Sequence, residues 1–141
     1  MGRLLRQSFA LLGLAFLPAI GHAVYERGRI SWSEQALTEH EVTIEQTRAW
    51  GDTVLWVDAR PQEQFEARAI PGAILLNEDR WNELLPQMLN TWSPDKRTVV
   101  YCSTQSCALS HAVARRLRDE AGLTNVFVLH GGWEKWLEAN Q

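Results

Sequence analysis

From residue 41 onward, short apolar runs alternate with stretches of helical spacing. Val42 and Ile44 predict a short strand, followed by a polar helix to Trp50 and a turn at Gly51-Asp52. Val54-Leu55-Trp56-Val57 is unbroken apolar, the pattern of a strand buried on both faces. Pro61 stands where a first-turn proline belongs, and a two-turn helix is expected over Gln62 to Arg68. After the Pro71-Gly72 turn, Ala73 to Leu76 reads as another strand. Trp81, Leu84, Leu85, Met88 and Trp92 keep helical spacing, with a break or kink expected near Leu85 because Pro86 follows. Ser93 to Lys96 is a turn, and Thr98-Val99-Val100-Tyr101 reads as a central strand. Leu109, Ala112, Val113 and Leu117 predict one buried helix face, with Arg115, Arg118 and Asp119 opposite. Gly122 ends that helix, Val126 to Leu129 forms the last strand, and Trp133 to Ala139 a closing helix. This alternation predicts an α/β domain with a mostly parallel central sheet flanked by helices.

The N-terminus follows another pattern. Arg3 and Arg6 precede an apolar run from Phe9 to Ile20, and Gly21-His22-Ala23 places small residues where a signal peptidase reads. An export signal or membrane anchor is expected over 1–24, a linker over 25–40 and the domain over 41–141. An apolar helix packed on the domain is the alternative. Export would place the domain in the periplasm or another extracytoplasmic space.

Composition narrows the function classes. The 141 residues are 45% hydrophobic and 22% charged, which suits one folded domain and excludes general disorder. The net charge is −3; without Arg3 and Arg6 the 14 basic residues fall to 12 against 17 acidic, a net −5. No basic footprint for nucleic acid is present. Two cysteines are too few for a disulfide scaffold.

Those cysteines, Cys102 and Cys107, bracket the predicted loop between the central strand and the next helix. Ligands of parallel α/β sheets gather at the carboxyl ends of strands, which is where Cys102 stands. The segment Cys102-Ser103-Thr104-Gln105-Ser106-Cys107 can turn backbone N–H groups toward the Cys102 sulfur. With the positive end of the following helix, these would favour a thiolate, the nucleophilic form. The alternative is a buried, inert thiol. Cys107 is a candidate resolving thiol that could pair with Cys102, or simply helix-start packing. His111 could deprotonate Cys107, or be a surface residue. A metal site on Cys102, Cys107 and His111 lacks a fourth ligand, and no cofactor or metal is expected.

Four segments in order carry a resemblance. They are Val57-Asp58-Ala59-Arg60 with Glu63 and Phe65, then Ile70-Pro71-Gly72-Ala73. Val99-Val100-Tyr101-Cys102 and Leu129-His130-Gly131-Gly132 with Trp133 and Trp136 follow. From Glu41 to Leu137 the chain resembles a single-domain rhodanese, the sulfurtransferase family. The resemblance implies that Cys102 takes sulfur from a small donor such as thiosulfate, forming a persulfide. It then passes that sulfur to cyanide or a thiol, including an exported or membrane thiol protein. It implies that Ser103, Thr104, Gln105, Ser106 and Cys107 form the substrate loop, and that Asp58 and Arg60 make a supporting ion pair. Many relatives have Gly where Gln105 stands, Arg where Cys107 stands, and Gly-His where Arg68-Ala69 stands. The missing loop arginine predicts weak thiosulfate binding and a less anionic donor. Related phosphatases need Arg six positions after the nucleophile; here it is Ala108. Two other functions compete with sulfur transfer: thiol–disulfide exchange by Cys102 and Cys107, and a non-catalytic binding module.

Overall fold

A computed structural model describes residues 38–103 and 108–141; the predicted export segment lies outside them. Among the described residues there are five strands, β1 (Glu41–Val42), β2 (Val54–Asp58), β3 (Ile74–Leu75), β4 (Arg97–Tyr101) and β5 (Val126–Leu129). Five α-helices alternate with them: α1 (Ile44–Trp50), α2 (Gln62–Ala67), α3 (Trp81–Thr91), α4 (Ala108–Asp119) and α5 (Gly132–Ala139), with a 3-10 turn over Gly51–Thr53 after α1. The strands form one fully parallel sheet in the order β1-β5-β4-β2-β3. Strand β4 is central, with Val57, Val100 and Val128 in one row across three strands.

Alternation along the strands divides the core in two. Leu55, Val57, Val100, Val126 and Val128 point to one face, against Trp81, Leu84 and Met88 of α3 and Val113, Ala114 and Leu117 of α4. On the other face Val99, Tyr101 and Leu129 meet Ile44 of α1, with Trp56, Phe127, Trp133 and Trp136 around them. Both faces of the sheet are covered, which is why its strands read as continuous apolar runs.

Three expectations are corrected. Ile44 opens α1 instead of extending β1. The Thr43 side chain accepts from the Gln46 N–H at 3.3 Å while Gln46 accepts from the Thr43 N–H at 2.8 Å, a capping box that starts the helix there. Pro86 does not break α3, which runs on to Thr91. Pro86 and Asn82, whose carbonyl loses its helical partner, are both exposed, so water can satisfy that group while Trp81, Leu84 and Met88 anchor the buried side. The buried face of α4 is Ser110, Val113, Ala114 and Leu117, whereas Leu109 is 41% exposed and Ala112 half-buried. Ser110 tolerates burial because its hydroxyl has a partner in the site.

Candidate active site

Cys102 is the first residue beyond β4 and is 1% exposed. The preceding strand sets its depth, since β4 lies between β2 and β5 and both neighbours hold its backbone. The turn after β5 fixes it from above. Gly131 and Gly132 adopt φ of 79° and 55°, left-handed conformations that side chains disfavour. A Cβ on Gly131 would also come within 2.6 Å of the Lys135 Cβ. These two residues reverse the chain so that the Trp133 N–H donates to the Cys102 carbonyl at 2.7 Å and the Glu134 N–H to the Ser103 carbonyl at 3.3 Å. The first turn of α5 thus carries the orphan donors of its N-terminus to the start of the cysteine loop.

Cys102 Sγ lies 3.4 Å from Ser110 Oγ. Ser110 is 3% exposed, in the first turn of α4 on its sheet-facing side. A hydroxyl there can donate to a sulfur anion. Cys102 is in the disulfide form. Cys107, the chain's other cysteine, lies outside the described residues, as do Thr104, Gln105 and Ser106. The expected ring of loop N–H groups therefore falls largely outside the described residues too. Ser103 is described: its hydroxyl donates to Gln64 Oε1 of α2 at 3.0 Å. His111 is engaged elsewhere, with Nε2 3.2 Å from Glu41 Oε1 at the start of β1.

Beside Cys102 lies a buried polar network. Arg60 Nη2 pairs with Asp58 Oδ2 at 2.7 Å, and Arg60 Nε lies 3.0 Å from Oδ1, a two-pronged contact. The Arg60 backbone N–H also donates to Asp58 Oδ1. The Tyr101 hydroxyl donates to Asp58 Oδ2 at 2.7 Å and accepts from the Ile70 N–H at 3.1 Å. Arg60 Nη2 further donates to the Arg68 carbonyl, and its guanidinium stands 4.6 Å from the Trp133 ring centre. Burial opposes the Arg60 charge, but the Asp58 hydrogen bonds and charge overcome it, so its pKa moves upward. The Tyr101 hydroxyl is also pushed up, chiefly by burial and further by the Asp58 carboxylate. Tyr101 adjoins Cys102 in sequence and Trp133 bonds to it, so the network braces both anchors of the nucleophile. Asp58 and Arg60 reach Cys102 through its neighbours, Asp58 through the Tyr101 hydroxyl and Arg60 through the Trp133 ring. The pair was visible from the resemblance, but Tyr101 and Ser110 were missed as site residues. A tyrosine in a strand and a serine on a helix carry no signal of their own until register places them.

The parallel sheet with its cysteine at the end of the central strand defines a class, and comparison with known proteins identifies it. The model of the rhodanese-like domain family matches residues 43–139, and the chain belongs to this family. The BH2092 protein from Bacillus halodurans is similar in structure, with a TM-score of 0.60 and 22% identity over 87% of this chain and 82% of that one. A rhodanese-related protein from Thermoplasma volcanium has a TM-score of 0.56 and 19% identity, covering 71% of this chain and 92% of its own. A possible tyrosine phosphatase from Rhodopseudomonas palustris has a TM-score of 0.51 and 24% identity over 72% of this chain and 81% of its own. No curated protein matches the chain at a significant level.

Proposed function

We propose that this chain is a sulfurtransferase that carries sulfane sulfur on Cys102, in an exported or membrane-anchored setting directed by residues 1–24. The observation that supports this most is the location of Cys102. It is a buried sulfur at the carboxyl end of the central strand, beside the Ser110 hydroxyl and held by the α5 N-terminus. The reaction needs a thiolate, and the Ser110 hydroxyl with the start of α4 favours that form. The Cys102 thiolate attacks the outer sulfur of the donor. The donor's S–S bond breaks, and its remaining part leaves with the electron pair. An acceptor nucleophile then attacks the outer sulfur of the persulfide, the new S–S bond breaks, and the Cys102 thiolate is regenerated. Because Cys102 is in the disulfide form, a reductant such as a dithiol must first deliver two electrons to free it.

That disulfide favours a second reading, thiol–disulfide exchange, in which the oxidised pair itself is the working form. Mass spectrometry of the reduced full chain after exposure to thiosulfate or polysulfide separates the two. A gain of one sulfur mapped to Cys102 supports sulfur transfer. Loss of two hydrogens without sulfur gain supports exchange. No change at all supports a binding module. Phosphatase chemistry lacks support, since Ala108 stands where the phosphate-binding arginine would be.

A further inference from the structure

We propose that Arg68 is the anion-binding residue at the entrance to the Cys102 site, selecting a small sulfur donor that ends in an oxyanion, the thiosulfate and thiosulfonate class. The inference rests on the sulfur-transfer reading for its substrate, but its geometry stands apart from it.

Arg68 follows the last residue of α2 in an extended conformation. Its backbone is fixed at both ends, the N–H bonded to the Gln64 carbonyl at 3.2 Å and the carbonyl to the buried Arg60 guanidinium at 2.7 Å. Two attachments link this position to Ser103 and to the Cys102 backbone. One turn earlier, Gln64 accepts from the Ser103 hydroxyl. The Arg68 guanidinium lies 5.8 Å from the centre of the Trp133 ring, and the Trp133 N–H holds the Cys102 carbonyl. Arg68 is thus tied to the two described loop residues through their own contacts.

Among the described residues no carboxylate pairs with its guanidinium. Arg60 and Arg116 are each matched by a carboxylate, on Asp58 and Glu120, and Arg80 by Glu83. Arg68 is exposed, and among the described residues its guanidinium has a ring contact but neither an ion pair nor a hydrogen bond. Arg60 approaches the same Trp133 ring already neutralised by Asp58, so among the described residues Arg68 brings an unpaired positive charge to that ring. Residues 102–107 include no lysine or arginine, so the loop itself supplies no fixed cation. A guanidinium offers a planar fork suited to two oxygens of a sulfonate. In the transfer step the Cys102 thiolate bonds to the outer sulfur of thiosulfate, the S–S bond breaks, and sulfite leaves with the electron pair. Arg68 would hold the oxygen end of the donor and of the departing sulfite. The charge missing from position 107 is thereby supplied from another element, which revises the expectation of a less anionic donor.

The test compares alkylation of reduced full-length protein by iodoacetate, an anion, and iodoacetamide, its neutral counterpart, with labelling mapped to Cys102. The ratio of the two rates cancels any change in thiolate fraction. Arg68→Gln should lower the iodoacetate-to-iodoacetamide ratio about fivefold, Arg68→Lys should keep most of it, and added salt should shrink the difference. The KM for thiosulfate should rise by a similar factor in Arg68→Gln. An unchanged ratio in Arg68→Gln overturns the proposal. So does an equal fall in Arg115→Gln, an exposed control on α4, since that would reflect net charge alone. If the ratio depends on Arg68 but the wild-type chain forms no Cys102 persulfide with either thiosulfate or polysulfide, Arg68 stands as an anion site and the sulfur-transfer reading fails.

Discussion

The two faces of the sheet solve the same packing problem with different chemistry. One is mainly aliphatic: Leu55, Val57, Val100, Val126 and Val128 against the inner sides of α3 and α4, with Trp81 as its buried aromatic. The other is aromatic and partly ionic, with Tyr101 and Trp133 against a buried Asp58–Arg60 pair and Trp56 and Trp136 packed on those two rings. Tyr101 and Trp133 stack with ring centres 6.3 Å apart, and Trp133 and Trp136 at 5.2 Å. An aliphatic core needs only volume and exclusion of water, so it supports the fold without specifying a site. Directional contacts fix orientation, and those of the aromatic face end at the residues that hold Cys102. The lesson is a division of labour: one face chiefly stabilises and lends the Ser110 hydroxyl to the sulfur, while the other holds the backbone that carries Cys102.

The hardest test of that division is Arg60→Ala. It leaves the Asp58 carboxylate buried without its partner, at a cost of about 3–5 kcal/mol. Chemical denaturation should show this loss, and the remaining folded protein should react more slowly at Cys102 because the brace under Trp133 is gone. Leu117→Ala cuts the opposite face, with an expected loss of about 2–5 kcal/mol. Here the folded fraction should keep its Cys102 alkylation rate; a comparable drop in rate would erase the distinction between the faces.

Tyr101→Phe is smaller, at about 1–3 kcal/mol, since it leaves Asp58 with Arg60 but without one donor. It also has a pH signature. The folded protein holds the Tyr101 hydroxyl protonated above its ordinary pKa of about 10, so the hydroxyl's contribution is complete below that pH and is lost as pH rises past it. Thermal melts should show wild-type stability falling above about pH 10 and a shallower alkaline decline in Tyr101→Phe. Ser110→Ala should change stability least, by about 1 kcal/mol, while raising the pKa of the reduced Cys102 thiol. The pH dependence of iodoacetamide labelling reads that shift directly; an unmoved profile would mean the hydroxyl does not stabilise the thiolate.

The strands were legible because burial on both faces leaves apolar runs such as Val54–Val57, and the cysteine's place at a strand end followed from them. Less local features were not. Ile44 looked like a strand residue because a capping box acts through Thr43 and Gln46, not through the apolar pattern. Pro86 looked like a stop because the pattern does not say that its lost hydrogen bond faces water. Ser110 was passed over because a polar residue counts against a buried face until its partner, eight residues away, is known. Arg68 registered only as a departure from the family pattern. Its meaning depends on Trp133, which is far away in sequence and adjacent in the fold.

The central claim is that Cys102, once reduced, carries sulfur. The most direct measurement is intact and peptide mass spectrometry of the reduced chain after thiosulfate, followed by cyanide. The predicted result is one added sulfur on the Cys102 peptide, removed by cyanide and absent in Cys102→Ser with the fold retained. A persulfide that persists in Cys102→Ser, or a wild-type chain that takes up no sulfur from thiosulfate or polysulfide, would contradict it.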